Sequence, residues 1–339
     1  MSPVNYPNRI PLANLPTPMR PLARLSEDLG GPEIWIKRDD LTGSALTGNK
    51  VRKLEFSFAE ARDRGADTVV TCGGLQSNHC RATAVAGAQL GFKVHLLLRG
   101  LPQPPFDGNH FLDHLCGAEV TCFPPGLYRS RLDDLFQGTV EDITRQGHRA
   151  HIIPLGASDA TGMWGYIAAA EELAEDFDRH GIRPDHIVSA TGSGGTLGGL
   201  ALGAALFGID SKIWGINVCD DAEYFQNKIR EDMRSWKQRY QQSLDVDHIP
   251  INILDGHVGP GYAEATHEMR ETIARVAQVE GIVLDPVYTG KAFHGLIQEI
   301  AKGTFKKGES VLFIHTGGIF GLFAQRATFG FREQTDTMQ

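Results

Sequence analysis

Two segments of this 339-residue chain combine residue types that could do chemistry, and the first contains a lysine. Lys50 follows a Gly-Asn pair at the start of a predicted helix, so its amine would lie near the helix N-terminus, where the dipole disfavours the charged form. An uncharged lysine is the nucleophile that Schiff-base chemistry needs. The stretch could also be a solvated basic turn in which Glu55 pairs with Arg52, and Lys53 is a competing nucleophile.

The second segment is a glycine-rich loop at residues 191–199, with five glycines in nine positions between a predicted strand and a predicted helix. Such a loop can turn backbone N–H groups toward an anion at the helix N-terminus. Leu197 stands where a dinucleotide fingerprint has its third glycine, so a single phosphate suits the loop better than a pyrophosphate. A plain tight turn is the alternative. The candidate phosphate-binding residues are Gly192, Ser193, Gly194, Gly195 and Thr196.

Two further turns carry polar side chains that could face a ligand. Ser77 and Asn78 follow a Gly-Gly pair, where they could cap the next helix, line a pocket, or do both. Tyr288 and Thr289 follow an Asp-Pro pair, and there a surface turn is the alternative. The apolar residues 282–284 before this turn are strand-like. No paired-histidine metal spacing or G-x-S-x-G nucleophile motif is present in the sequence, and no metal is expected.

These segments must be positioned by strands and helices that alternate along the chain. The predicted strands mostly run into glycine turns and are followed by helical patterns, which is typical of βαβ units on parallel sheets. Side chains at the carboxyl ends of such strands could line one crevice. The predicted strands are 33–37, 68–71, 93–98, 119–123, 186–189, 212–218 and 310–315, and the predicted helices are 80–90, 110–116, 160–177 and 263–279, with another from Asn49.

Composition limits the possible function classes. The net charge of −8 and the pI near 5.9, without a Lys/Arg cluster, argue against nucleic-acid binding. The apolar runs are too short to span a bilayer, and the N-terminus has no signal-peptide pattern, so we expect no membrane partner. Five cysteines without a C-x-x-C pair give little support to a disulfide framework. The expected location is cytoplasmic.

Together, these segments resemble the pyridoxal-phosphate (PLP) enzymes of the tryptophan synthase β-like fold, fold type II. The resemblance is to the branch of D-cysteine desulfhydrase and 1-aminocyclopropane-1-carboxylate (ACC) deaminase. It implies a two-domain α/β protein with parallel-rich open sheets, PLP between the domains, and a homodimer. The implied domains are 1–51 plus 161–339, the large PLP-binding domain, and 52–160, a smaller inserted α/β domain. The matching stretches are 37–41, 47–55, 73–81, 192–198, 218–221, 259–262, 285–291 and 316–318.

The resemblance also implies roles for single residues. Lys50 would form the Schiff base with PLP, and residues 192–196 would hold its phosphate. Asn78 would contact the pyridine 3-hydroxyl, and Ser77 would lie near the substrate carboxylate and the reacting carbon. The implied catalytic residues are Lys50, Ser77, Tyr262 and Tyr288, and the implied cofactor-binding residues are Lys50, Asn78, Gly192, Ser193, Gly194, Gly195, Thr196 and Thr289.

Thr289 informs the choice of reaction, because it would face the pyridine nitrogen where the deaminase subgroup carries Glu. A threonine supplies no charge, and a neutral ring supports loss of a good β leaving group better than opening of a cyclopropane. We therefore expect PLP-dependent β-elimination on a small sulfur-containing amino acid, above all D-cysteine, giving pyruvate, sulfide and ammonia. L-cysteate and ACC are alternative substrates, because Thr47 and residues 156–159 and 263–266 depart from the family's pattern.

Two readings from other classes stay open. A nicotinamide oxidoreductase would use the loop at 191–199 for a dinucleotide, with Asp220 as the ribose-binding acid, although the missing third glycine counts against it. A non-catalytic protein that binds PLP or an amino acid has the same sequence features as an enzyme. Absorbance spectra would distinguish a nicotinamide oxidoreductase from a PLP enzyme. Measurement of turnover would distinguish a PLP enzyme from a non-catalytic binding protein.

Overall fold

The computed structural model describes residues 4–102 and 104–331. Within these ranges strands and helices alternate, as the sequence predicts for βαβ units. The strands are β1 (Met19–Pro21), β2 (Glu33–Lys37), β3 (Thr68–Gly74), β4 (Lys93–Arg99), β5 (Glu119–Phe123), β6 (Ala150–Ile152), β7 (His186–Thr191), β8 (Lys212–Asn217), β9 (Asn252–Leu254) and β10 (Ser310–Ile314).

The helices connect these strands and cover the sheets. Their bounds are α1 (Ala23–Leu29), α2 (Lys50–Asp63), α3 (Asn78–Leu90), α4 (Gly108–Leu115), α5 (Pro125–Arg145), α6 (Met163–His180), α7 (Gly195–Phe207), α8 (Ala222–Arg239), α9 (His267–Glu280), α10 (Thr289–Ala301) and α11 (Ile319–Phe323). No helix in the two described ranges is long and apolar enough to cross a membrane.

Two local predictions are wrong. The helix expected over 263–279 begins only at His267, because the Thr266 hydroxyl accepts the backbone N–H of Met269 and caps the helix there. Residues 282–284 form no strand, although Ile282 and Leu284 are fully buried. Their burial comes from packing in the apolar cluster with α9 and α10, and a short apolar run does not distinguish this from a strand.

The described strands form two sheets. The larger has the order β1-β2-β10-β7-β8-β9 and is parallel except for the β1–β2 pair. The smaller has the order β5-β4-β3-β6 and is entirely parallel. All strands of the smaller sheet fall within 52–160, and those of the larger sheet fall in the flanking segments. This arrangement fits the predicted division into two domains, whose boundaries stay a prediction.

Close packing of α6 against α7 positions the glycine-rich loop that precedes α7. A Cβ added at Gly203 would lie 2.3 Å from the Cβ of Ala170, and one added at Gly199 would lie 2.6 Å from the Cβ of Tyr166. The two helices therefore approach at a distance that any side chain at these glycines would prevent. This close approach holds the start of α7, including Leu197 and Leu200, in the apolar cluster that also contains Trp164 and Ile167 of α6.

A buried ion-pair network positions the start of α2. The Arg52 guanidinium donates to Asp39 Oδ1 at 2.7 Å and to Glu172 at 3.0 Å, and the Tyr166 hydroxyl donates to Asp39 Oδ2 at 2.6 Å. Glu55 instead pairs with Arg9 at 2.6 Å. The alternative of a solvated basic turn with a Glu55–Arg52 pair is therefore wrong.

Candidate active site

A cavity of about 560 Å³ lies between the two sheets, at the carboxyl ends of their central strands. Its size is within the roughly 300–1,000 Å³ range of small-molecule sites. The turns after β3, β7 and β8 and the last residue of β4 contribute to its wall. The lining residues from the predicted set are Lys50, Ser77, Asn78, Gly192, Ser193, Gly194, Thr196, Tyr262 and Tyr288.

Lys50 is the first residue of α2, and its side chain enters this cavity. Gly48 makes the approach possible, because its φ is +104° and a Cβ there would lie 2.7 Å from the carbonyl oxygen of Thr316. Among the described residues, the amine of Lys50 has no ion-pair or hydrogen-bond partner. Burial lowers the pKa of Lys50 to about 8, which makes the uncharged amine accessible near neutral pH.

Lys53, the competing candidate, lies outside the cavity lining. It is fully buried, and its amine donates to the carbonyl of Gly156 at 3.1 Å and to the Ser158 hydroxyl at 3.2 Å. Burial and the neighbouring Lys50 lower the pKa of Lys53 well below its usual value. Its contacts support the loop that faces Lys50, so the geometry favours Lys50 as the nucleophile.

The glycine-rich loop forms a cradle whose shape depends on the absence of side chains. A Cβ at Gly192 would lie 2.9 Å from Cε1 of Tyr288, and Gly194 has a φ of +84°. The Thr196 hydroxyl accepts a hydrogen bond from Asn49 Nδ2 at 2.9 Å, which links this loop to the residue beside Lys50. Gly195 does not line the cavity, and its N–H donates to the Ser158 hydroxyl at 3.3 Å.

Ser77 and Asn78 lie at the start of α3 and also line the cavity. The Ser77 hydroxyl caps the helix by accepting the N–H of Cys80 at 3.2 Å, so capping and a position in the cavity are compatible. The Asn78 amide oxygen accepts from Asn109 at 2.9 Å, which fixes its orientation. His79 also lines the cavity, and burial lowers its pKa well below the usual value, so its ring is neutral.

Two tyrosines, Tyr262 and Tyr288, also line the cavity. The phenol oxygens of Tyr262 and Tyr288 are 2.7 Å apart, and their rings meet edge to face with centroids 6.1 Å apart. Burial raises the pKa of both phenols above the usual value. Both hydroxyls therefore stay protonated near neutral pH, and the pair can hold or donate a proton.

Thr289 is the predicted residue whose position fits its expected role least well. It is fully buried and lies outside the cavity lining. Its hydroxyl donates to Asp285 Oδ1 at 2.7 Å and accepts the backbone N–H of Asp285 at 2.8 Å. Asp285 Oδ2 also accepts the N–H of Tyr288 at 3.0 Å, so these contacts hold the turn that carries the tyrosine. Contact of Thr289 with the ring nitrogen stays a prediction.

Several lining residues were not predicted as site residues. Asn49 and Thr316 belong to matching stretches but had no assigned role, and Cys219 lies in another. Arg99 and Tyr128 belong to none of these stretches. The position of Arg99 at the end of a strand next to β3 is the sequence signal that could have indicated it.

The cavity fits PLP in the chemistry of its residues. The loop at 192–196 offers backbone N–H groups and two hydroxyls to a phosphate, and Lys50 offers an amine to an aldehyde. A Cβ at Gly156 would lie 2.7 Å from the Ser193 hydroxyl and 3.2 Å from the amine of Lys50, so the glycine keeps open the space between cradle and lysine.

Comparisons with known proteins agree with this geometry. A D-cysteine desulfhydrase from Serratia proteamaculans is 38% identical over 93% of this chain and 95% of its own length. A bifunctional D-cysteine desulfhydrase/ACC deaminase from Arabidopsis thaliana, a mitochondrial protein, is 42% identical over 92% of this chain and 78% of its own length.

A solved structure is similar to this chain over nearly its whole length. The solved structure of an ACC deaminase homologue superposes with a TM-score of 0.86 at 35% identity, covering 95% of both chains. This likeness confirms the predicted α/β fold with parallel-rich sheets. Residues 10–317 match the family described as "Pyridoxal-phosphate dependent enzyme". The chain therefore belongs to the pyridoxal-phosphate dependent enzymes, and PLP is its cofactor.

Proposed function

We propose that this enzyme is a carbon–sulfur lyase that eliminates the β-sulfur group of D-cysteine, with pyruvate, sulfide and ammonium as products. The observation that carries the proposal is the arrangement of Lys50, the loop at 192–196 and the Tyr262–Tyr288 pair around one cavity. The names of the Serratia and Arabidopsis relatives support the reaction class. A small amino acid is the substrate class.

Different residues of the cavity have different roles in the reaction. Bound PLP supplies the electron withdrawal that weakens the Cα–H bond of the substrate. The loop at 192–196 holds the phosphate, Asn78 orients the ring, and Ser77 orients the substrate carboxylate. The amine of Lys50, with a pKa of about 8, can accept the Cα proton near neutral pH.

The tyrosine pair has a complementary role. Because burial raises the pKa of both phenols, Tyr262 and Tyr288 are poor bases and serve to hold or donate a proton beside the leaving group. The Cβ–S bond breaks with its electron pair on sulfur. Water then hydrolyses the released unsaturated amine to pyruvate and ammonium, so no external oxidant or reductant takes part.

ACC deamination is the alternative that the relatives' names keep open. The deaminase subgroup carries Glu at the position where this chain has Thr289. Thr289 bears no charge, and its hydroxyl is already bonded to Asp285. We therefore place ACC below D-cysteine. A non-catalytic PLP-binding protein is the alternative from a different class. The homodimer and the cytoplasmic location stay predictions.

Turnover by the PLP-loaded protein tests the proposal. D-cysteine, L-cysteine and ACC are supplied separately, and sulfide, ammonium and the 2-oxo acid are measured, with the acid identified by chromatography. The proposal expects pyruvate and sulfide in equal amounts from D-cysteine, and no 2-oxobutanoate from ACC. Release of 2-oxobutanoate from ACC, together with no release of sulfide from D-cysteine, would make the enzyme a deaminase. Silence with all three substrates, at full PLP content, would favour a binding protein.

A further inference from the structure

Lys291 is a fully buried lysine in the first turn of α10, and the proposed function gives it no role. Its amine donates one hydrogen bond to the carbonyl oxygen of Val258 at 2.7 Å and another to that of Gly261 at 2.6 Å. Over residues 4–102 and 104–331, it has no ion pair. Burying a long polar side chain without an ion-pair partner costs free energy, which two hydrogen bonds offset only in part. The position of Lys291 therefore calls for a role beyond stability.

The two accepting carbonyls belong to the turn that carries Tyr262. Between β9 and α9, the described chain forms no strand or helix, only one isolated bridge between Gly261 and Glu264. The place of Tyr262 therefore depends on the groups that hold its backbone. The carbonyl of Gly261 belongs to the planar peptide group that joins Gly261 to Tyr262, so a fixed carbonyl oxygen also fixes the Cα of Tyr262.

The second tyrosine of the pair lies at the start of the helix that contains Lys291. Tyr288 immediately precedes α10, and its carbonyl oxygen accepts the N–H of Ala292 at 2.9 Å. Lys291 is thus connected to Tyr288 through the backbone of this turn and to Tyr262 through its side chain. A shift of Tyr262 by about 1 Å would take the 2.7 Å distance between the two hydroxyls beyond the roughly 2.5–3.0 Å of an O–H···O hydrogen bond.

Two other contacts of the turn do not reach the start of α10. The ring of His257 contacts a carboxylate near the end of this helix, at 3.1 Å. The side chain of Gln325 donates to the carbonyl of Ala263 at 3.1 Å, from the segment after α11. By contrast, Lys291 joins the backbone beside Tyr262 to the first turn of α10.

We propose that Lys291 is a positioning residue: by holding the carbonyl of Gly261, its amine keeps the Tyr262 hydroxyl in contact with that of Tyr288. This inference rests on the proposed function, in which the tyrosine pair holds or donates a proton beside the leaving group. Lys291 does not line the cavity, so it acts through Tyr262 and not on the substrate or the cofactor. No bond is made or broken at Lys291.

The test compares Lys291→Met and Lys291→Gln with the unaltered enzyme, all loaded with PLP. Methionine has nearly the length of lysine and removes both donors, whereas the glutamine amide is one atom shorter and can reach at most one of the two carbonyls. Lys306→Met is the matched control, because it removes an exposed lysine outside the cavity lining. Tyr262→Phe is made alone and in combination with Lys291→Met.

Two measurements are made on each variant. Carbon NMR of tyrosine isotope-labelled at Cζ reports on each hydroxyl without turnover, and substitution by Phe assigns the signals of Tyr262 and Tyr288. Steady-state kinetics with D-cysteine give kcat and KM. The NMR measurement does not require that D-cysteine be the substrate, so it tests the position of the tyrosines independently of the proposed function.

We expect the signals of Tyr262 and Tyr288 to shift in Lys291→Met, to shift less in Lys291→Gln, and to stay in place in Lys306→Met. The signal of Tyr240, which lies outside the cavity lining, should stay in place in every variant. Misplacement of the hydroxyl should lower kcat by about tenfold to a hundredfold in Lys291→Met, with KM little changed. Tyr262→Phe should lower kcat less in the Lys291→Met enzyme than in the unaltered enzyme, because the contact is already lost.

The outcomes separate the two proposals. Unchanged signals of Tyr262 and Tyr288 in Lys291→Met would overturn the role of Lys291, and Lys291→Gln decides in the same way if Lys291→Met does not fold. Effects of Lys291→Met and Tyr262→Phe that multiply on kcat would also overturn it, since the two residues would then act independently. Shifted signals in an enzyme that does not turn over D-cysteine, at full PLP content, would support the role of Lys291 and remove the proposed function.

Discussion

The hydroxyl oxygens of Tyr262 and Tyr288 are 2.7 Å apart, although the two residues belong to different turns of the chain. Tyr262 lies against the end of β3, since a Cβ at Gly74 would be 3.5 Å from its ring. Tyr288 lies against Gly192 of the glycine-rich loop. The pair thus connects the side of the cavity assigned to the substrate with the side assigned to the phosphate.

Removing one hydroxyl of this pair should slow the reaction without releasing PLP. We expect Tyr288→Phe to lower kcat with D-cysteine by roughly a hundredfold, the size of a general acid–base contribution. Tyr240→Phe is the control, because its hydroxyl bonds Thr161 at 3.1 Å and does not line the cavity. Steady-state kinetics measure kcat of each variant, and absorbance measures its PLP content. Full activity in both Tyr262→Phe and Tyr288→Phe would show that the pair handles no proton.

The glycine-rich loop allows a comparison between two glycines with positive φ. Gly194 precedes α7 and Gly181 ends α6, with φ values of +84° and +66°, but only a Cβ at Gly194 meets a neighbour, Ile229 at 2.8 Å. Alanine at either position should lower the free energy of unfolding by about 1–2 kcal/mol because of the backbone conformation. PLP affinity should fall in Gly194→Ala alone. Equal PLP affinities in the two variants would argue against the phosphate cradle.

The pH dependence of PLP attachment should follow Lys50. Burial lowers its pKa from 10.5 to about 8, so the uncharged fraction rises about tenfold for each pH unit below 8 and levels off above it. Cofactor-free protein mixed with PLP should therefore gain covalently attached PLP faster from pH 6 to about 8, with little change beyond. Stopped-flow absorbance measures this rate. A rate that keeps rising tenfold per unit up to pH 10 would indicate an ordinary lysine.

Thr289→Glu should weaken elimination. It would place a second carboxylate beside the buried Asp285, whose own pKa burial already raises, and it would add charge where the resemblance places the pyridine nitrogen. We expect kcat with D-cysteine to fall by about tenfold or more, equivalent to about 1.4 kcal/mol. Thr289→Ser keeps the hydroxyl and should retain activity. An unchanged rate in well-folded Thr289→Glu would indicate that residue 289 does not face the ring.

Local patterns in the sequence predict the alternating α/β fold, whereas the choice of Lys50 over Lys53 came from the resemblance to a family. The strand at 33–37 is observed with the predicted bounds, and Lys50 begins a helix beside the cavity. The strand-end position of Arg99 could have indicated that it lies near the site, but its contacts with Tyr128 and Tyr262 could not be predicted, because the chain brings these residues close only on folding. The α5 helix was not predicted, and nothing in its local pattern indicated that Tyr128 reaches the cavity.

The burial of Arg52 illustrates a second limit on what the local sequence can predict. The local sequence shows a basic helical turn with Glu55 nearby, whereas the partners of Arg52 are Asp39 and Glu172, which come from elsewhere in the chain. Partner choice in a buried ion pair depends on tertiary packing, since a buried charge is stable only when its partners are brought to it.

Covalent trapping of PLP tests the central claim of this account most directly, namely that Lys50 carries the cofactor. The PLP-loaded protein is reduced with borohydride and digested, and fragmentation mass spectrometry locates the added mass. The account predicts that the reduced cofactor is attached to Lys50, and that Lys50→Ala shows neither attachment nor turnover of D-cysteine. Attachment at Lys53 or at any other lysine, or near-normal activity in Lys50→Ala, would contradict it.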